Sequence, residues 1–206
     1  MIALEPRHYQ RRPWKNGLGE SLEIAAEPAG ASYDRLLWSF SSTGFTGSVF
    51  FSDLPGFDRI ITLTLGAGLV LKAWDEGADL KIPLLSDPVA FDGGRVLEGI
   101  ADGGVQVLNL MARQARVQIA MAYLGAEPRD FVADTVLVHA CQGPVELDLD
   151  AELPEAWAVP IHDPDTGFAY RNVLPGHCTL RFDGEPVRLA ALSGAALVAS
   201  ITRLAA

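Results

Sequence analysis

Arg59-Ile60-Ile61-Thr62-Leu63-Thr64-Leu65-Gly66-Ala67-Gly68-Leu69-Val70-Leu71 is answered later in the chain by Thr135-Val136-Leu137-Val138-His139-Ala140-Cys141-Gln142-Gly143-Pro144-Val145-Glu146-Leu147. Each is an apolar, β-branched run, a turn of small residues and a second apolar run, the pattern of two tightly joined strands. Laid together, Arg59 falls on Thr135. The echo continues: Phe91-Asp92-Gly93 matches Phe182-Asp183-Gly184, and Val105–Arg113 matches Ala195–Arg203, which sets Asn109 on Ala199. Residues 150–175, rich in proline and acidic side chains, supply an insertion in the later copy. One such match is cheap, because hairpins resemble one another. Three in the same order point to a duplicated unit. The expected fold is all-β with little helix: two β-barrel or jelly-roll-like lobes, residues 1–118 and 119–206, with a single large sandwich as the alternative.

The rest of the chain has the same texture. Its 20 Gly and 13 Pro punctuate short runs of Val, Ile, Leu, Thr and Phe, as in a many-stranded protein. Further strands are expected at Trp38–Phe40, Val117–Tyr123 and Cys178–Phe182. Helical periodicity never holds over a long window, and the one short helix expected is at Leu153–Val159.

Composition narrows the partners. Sixteen basic and 26 acidic residues give a net charge of −10, and no basic run exceeds Arg11-Arg12. Nucleic acid and anionic membranes, which need clustered Lys and Arg, are not expected partners. No apolar run has membrane-spanning length, the first twelve residues lack the apolar centre of a signal peptide, and two cysteines make no disulfide framework. A cytoplasmic location is expected.

Four places carry polar residues of interest. Trp14-Lys15-Asn16-Gly17-Leu18-Gly19-Glu20-Ser21 crowds an indole, a cation, an amide and two glycines together. Asn-Gly favours a tight turn, so the stretch is either a hairpin turn pinned by a core Trp or a site wall. Asn109 alternates with Val105, Val107 and Met111, placing an amide among apolar neighbours, where it must bond backbone, water or ligand. Arg59 opens a strand on the face of Ile61, Leu63 and Leu65. It either pairs with Asp58 at the surface or sets a guanidinium at a barrel mouth, suited to a carboxylate. Lys15 and Arg113 are weaker candidates, expected to be solvated.

The four histidines show no HxH or HxxxH spacing, so a metal site is not expected. His139 reads as a core histidine on a strand, and Asp163 and Asp165 as a solvated loop. No GxSxG, P-loop or GxGxxG occurs.

The stretch from Trp14 to Ser21 resembles the HutD/Ves family of small bacterial bicupins, as do Trp38-Ser39-Phe40-Ser41, Phe51–Arg59 with Gly66-Ala67-Gly68, Phe91-Asp92-Gly93, and Leu108-Asn109-Leu110-Met111 with Arg113. The likeness spans about residues 13–113. Three positions depart from the family pattern: Ser21 replaces Thr, Ser39 replaces Arg, and Val107 replaces Asp. The resemblance implies a bicupin without metal or cofactor, associated with histidine utilisation and binding a small catabolite rather than performing an established reaction. The expected ligand is a small carboxylate of the urocanate or formylglutamate type, held by Trp14, Lys15, Asn16, Gly17, Arg59 and Asn109. The alternatives are an isomerase or hydrolase using Glu20 and Lys15, and a protein-interaction module. A homodimer is left open as the assembly.

Overall fold

The structure is a computed structural model describing residues 1–151, 153–161 and 169–205. His162, Asp163 and Asp165 lie outside those residues. The strands are β1 (Ile2–Leu4), β2 (Gln10–Pro13), β3 (Glu20–Glu27), β4 (Trp38–Phe50), β5 (Phe57–Leu65), β6 (Leu69–Ala73), β7 (Leu80–Ile82), β8 (Val89–Asp92) and β9 (Leu97–Arg113). They continue with β10 (Val117–Tyr123), β11 (Arg129–Phe131), β12 (Thr135–Ala140), β13 (Val145–Leu149), β14 (Ala158–Ile161), β15 (Ala169–Leu174), β16 (Thr179–Asp183), β17 (Val187–Ser193) and β18 (Ala196–Arg203). The fold is all-β, as expected. Among the described residues no helix is long and apolar enough to cross a membrane.

Two compact units result. The first comprises Arg7–Met121 with Thr202–Ala206, the second Met1–Pro6 with Ala122–Ile201. The expected division after residue 118 thus lies beside one after Met121, and the terminal segments are exchanged. The reason for the first exchange is backbone pairing, since β1 runs antiparallel to β16, Ile2 opposite Arg181 and Leu4 opposite Thr179.

In the first unit the sheet runs β2-β3-β4-β9-β5-β8, with β6 pairing to β9 and β7. Ile61, Leu63, Leu71 and Leu97 are fully buried in its core, each worth about 2 kcal/mol of apolar burial. Of the other two sheets, ordered β1-β16-β12-β18-β10 and β11-β17-β13-β15-β14, all but most of β10 and the end of β18 belong to the second unit. Val136, Val138, Phe182 and Val198 belong to its core.

Two elements differ from the sequence reading. β4 was expected to end at Phe40 but continues to Phe50 through serine, threonine and glycine. It pairs with β9 from Trp38 opposite Ala112 to Phe50 opposite Glu98, and that ladder outweighs a weak local preference. The helix expected at Leu153–Val159 is a single 3-10 turn, Glu155–Trp157, followed by β14. Pro160 cannot donate a helical hydrogen bond, and buried Trp157 anchors the turn.

The internal echo holds in order but slips by one residue on two strands. Arg59 lies opposite Phe91, whereas Phe182 lies opposite Val136 and not Thr135. Ile61 lies opposite Asn109, and Val138 lies opposite Val198. A slip of one residue exchanges the two faces of a strand. By pairing and face, Arg59 corresponds to Val136 and Asn109 to Val198, both core residues of the second unit. The earlier equivalents, Thr135 and Ala199, belong to the opposite face.

Candidate functional site

The first unit holds a cavity of about 60 Å³ that is partly open to solvent. Strand alternation decides what it sees, because every second residue of β4, β9 and β5 points inward. One cross-strand row is Ser39, Met111 and Arg59; the next is Ser41, Asn109 and Ile61. Thr43 and Val107 follow. All these residues line the cavity. Ser41 and Thr43 of β4 are not among the candidate site residues of the sequence, and Ser39 enters there only as a departure from the family pattern. The period-two spacing of hydroxyls at 39, 41 and 43 is the signal, because β4 continues past Phe40.

Arg59 is 8% exposed and Asn109 7%. Arg59 donates from Nε and Nη2 to Asn109 Oδ1 at 3.2 and 3.0 Å. A guanidinium has no acceptor, so the amide oxygen must face it, and the amide Nδ2 keeps both its donors for other partners. The guanidinium carbon stands 5.2 Å from the Phe51 ring centre and 5.1 Å from that of Phe91. Burial lowers the Arg59 pKa to about 10, so the group remains a cation at neutral pH. The pairing with Asp58 does not occur. Asp58 is exposed and accepts a 3.0 Å bond from Gln114 Nε2. No carboxylate of the described residues forms an ion pair with Arg59.

The second cation on the cavity is different. Arg12 pairs with buried Glu23, donates to Ala31 O at 2.7 Å and lies 4.5 Å above the Tyr33 ring. Its charge is compensated within the fold. The cavity therefore presents one uncompensated positive charge, an amide and several hydroxyls. Its lining contains no imidazole, thiol or carboxylate, a donor set that suits an anion and does not suit a divalent metal. Among the described residues no cluster of His, Cys, Asp or Glu could hold a metal ion.

The stretch at 14–17 divides. Trp14 lines the cavity and donates from its indole nitrogen to Ser21 Oγ at 2.9 Å. Lys15, Asn16 and Gly17 are outside the lining. Gly17 N donates to Trp14 O at 3.0 Å with φ of 71°, closing the turn expected of Asn-Gly. Asn16 donates to Phe50 O and Lys15 to Asp53 O, both at 2.9 Å. Gly19 is required by close approach, since a Cβ there would come within 2.9 Å of the Trp14 ring.

The residues of the enzyme reading are not brought together on the cavity. Glu20 pairs with Arg11 in an exposed position. Arg113, expected to be solvated, instead donates to Tyr33 O at 2.7 Å and Leu36 O at 3.1 Å, bracing the turn before β4. His139 is 3% exposed with Nδ1 2.8 Å from Thr179 Oγ1, in keeping with a core histidine.

The family model HutD matches residues 6–167. An uncharacterised 21.2 kDa protein in the hutC 3′ region of Pseudomonas putida is 30% identical over 148 residues, 71% of this chain and 76% of that protein. Protein Ves of Citrobacter koseri is 34% identical over 107 residues, covering 50% of this chain and 53% of its own length. The structure of HutD from Pseudomonas fluorescens SBW25, from a formate condition, superposes with a TM-score of 0.75 at 24% identity and covers 99% of both chains. The chain belongs to the HutD family and shares the fold of that HutD structure.

Proposed function

We propose that the chain is a bicupin whose first unit is a receptor for a small carboxylate of histidine breakdown, of the urocanate or formylglutamate type, in an accessory or regulatory role. The observation that carries this reading is Arg59: a buried guanidinium at the wall of a largely apolar cavity, whose described hydrogen bonds all go to a neutral amide. A buried charge without a counter-charge is costly, and a carboxylate bound at Nη1 would supply the missing partner. Asn109 then has two roles. Its oxygen orients the guanidinium, and its Nδ2 donates to a second ligand atom alongside the Ser41 hydroxyl. Phe51, Phe91 and Trp14 exclude water and strengthen the charge interaction. The two-lobed part of the reading is supported by the register shared between β5–β8 and β12–β16, and between β5–β9 and β12–β18.

Calorimetric titration with formate, acetate, urocanate and formylglutamate tests it. At least one should bind with 1:1 stoichiometry, and Arg59→Met should abolish the heat. A folded protein giving neither heat nor thermal shift with any of these acids would overturn the receptor. Asn109→Ala separates the receptor from the interaction-module alternative. That substitution lowers stability under both readings but changes anion affinity only under the first.

A further inference from the structure

We infer that the Trp14 loop is a removable wall of the cavity, and that Lys15 and Asn16 are the positioning residues that fasten it. The size of the space motivates the idea. A volume of about 60 Å³ has room for roughly four to six waters. A carboxylate head fits such a space; a planar or branched acid enclosed as a whole needs more room. The remaining cavity walls on β4, β9 and β5 are held by continuous backbone ladders, so enlargement must come from elsewhere.

The loop between β2 and β3 has a different kind of attachment. Its backbone bonds, Trp14 N to Gly19 O at 2.9 Å and Gly17 N to Trp14 O, close the turn upon itself. Leu18 N donates to Asn16 Oδ1 at 3.1 Å, which stiffens the same turn. Beyond the turn, the described bonds of residues 14–19 are three side-chain donors. The Trp14 indole reaches Ser21, and Lys15 and Asn16 reach the carbonyls of Asp53 and Phe50. Both fasteners are exposed and grip one segment, 50–53, which brings Phe51 and Ser52 to the cavity. Releasing two solvent-accessible bonds therefore leaves the preformed turn held beyond itself by the Trp14–Ser21 bond alone, which must give way for the indole wall to move. Gly19 fits this picture, because the indole lies flush against backbone that moves with it.

Part of the test needs no ligand. Ser41→Cys places a thiol beside Asn109, and its labelling by methyl methanethiosulfonate reports opening of the cavity. The unsubstituted chain sets the baseline, its two cysteines being buried. Lys15→Ala with Asn16→Ala should speed labelling roughly tenfold, the factor that two modest hydrogen bonds together supply. Equal rates overturn the inference. Should Ser41→Cys fail to fold, Ser52→Cys gives the same readout from the facing wall.

The ligand arm rests on the receptor reading and uses acetate and benzoate. The double variant should raise the association rate of benzoate while changing acetate affinity less than twofold. Faster labelling with no acid bound leaves the movable wall standing and removes the receptor. Acids bound at unchanged association and labelling rates do the reverse.

Discussion

The same pair of cross-strand positions is filled in opposite ways in the two units. On β5 and β8 of the first, Arg59 faces Phe91, and one row along Asn109 faces Ile61. On β12 and β16 of the second, Val136 faces Phe182, and Val198 faces Val138. The aromatic is kept, while the cation and amide are exchanged for two valines. The second unit packs these positions as continuous hydrocarbon. The first leaves a hollow with a charge on its wall. The backbone thus accommodates either content, and side-chain chemistry at two positions separates a packed core from a charged hollow.

That contrast breaks most visibly if the polar content is moved. Val136→Arg places a guanidinium where no hollow and no amide exist. It should destabilise the protein by about 5 kcal/mol or prevent folding, because a buried unpaired charge is among the costliest substitutions. The denaturation midpoint, compared with an exposed control such as Val159→Arg on β14, measures it. A loss below about 1 kcal/mol would show that the second unit also yields a polar hollow.

Acid sharpens the same contrast. Burial lowers the pKa of both deeply placed cations-to-be, but Arg59 has range to spare at about 10, whereas His139 is pushed down from 6.5 to about 3. Its main cause is desolvation, with a smaller contribution from His177. The unfolded chain takes up this proton below about 6.5 and the folded chain only near 3. Stability is therefore lost as pH falls through that window, by about 1.4 kcal/mol per pH unit from this group. His139→Gln should remove that part of the slope between pH 6.5 and 4.5. An unchanged slope would mean that His139 titrates normally in the folded protein.

How much of this could be read in the residues depends on which face they serve. Apolar runs and small-residue turns announced β5, β6, β12 and β13, because those strands are buried and alternation or continuous hydrophobicity marks them. Arg59 and Asn109 stood out for a related reason, as polar side chains breaking an apolar face. Ser41 and Thr43 did not, because hydroxyls in a Ser- and Gly-rich stretch look like a loop until the β9 ladder is known. Phe51 carries no local mark at all, since its place beside Arg59 comes from the chain path between β4 and β5. The one-residue slip has a similar origin. Both faces of β12 are buried, so burial does not say which of them meets Phe182, although Thr135 and His139 make one face the more polar. The three departures noted from the resemblance, at 21, 39 and 107, all fall on the cavity lining.

Two substitutions in the first unit test the comparison from the other side, with smaller effects. Asn109→Asp supplies the missing negative charge from within. The carboxylate would pair with Arg59, raise stability by about 2 kcal/mol through relief of an unpaired buried cation, and abolish binding of the carboxylate probes. Stability unchanged or lowered, with binding intact, would mean the cavity is wet enough to solvate Arg59 without a ligand.

The smallest expected change comes from making the first unit resemble the second. Arg59→Met keeps the length of the side chain and its contact with Phe51 and Phe91 while removing the charge. Replacing a buried ionic group with a packed apolar one of similar size is often neutral or stabilising, so the midpoint should shift by less than about 1 kcal/mol. Asn109 then loses its only described donor, which subtracts from any gain, and Arg59→Met with Asn109→Val should recover it by matching the valine pair of the second unit. A protein that tolerates both changes and no longer binds an anion would show that the two polar residues serve the ligand and not the barrel. A double variant that unfolds would show the opposite, that the first unit needs its cation to hold the β5–β9 wall in place. In that case the valines of the second unit would be a different solution to packing and not the same site emptied.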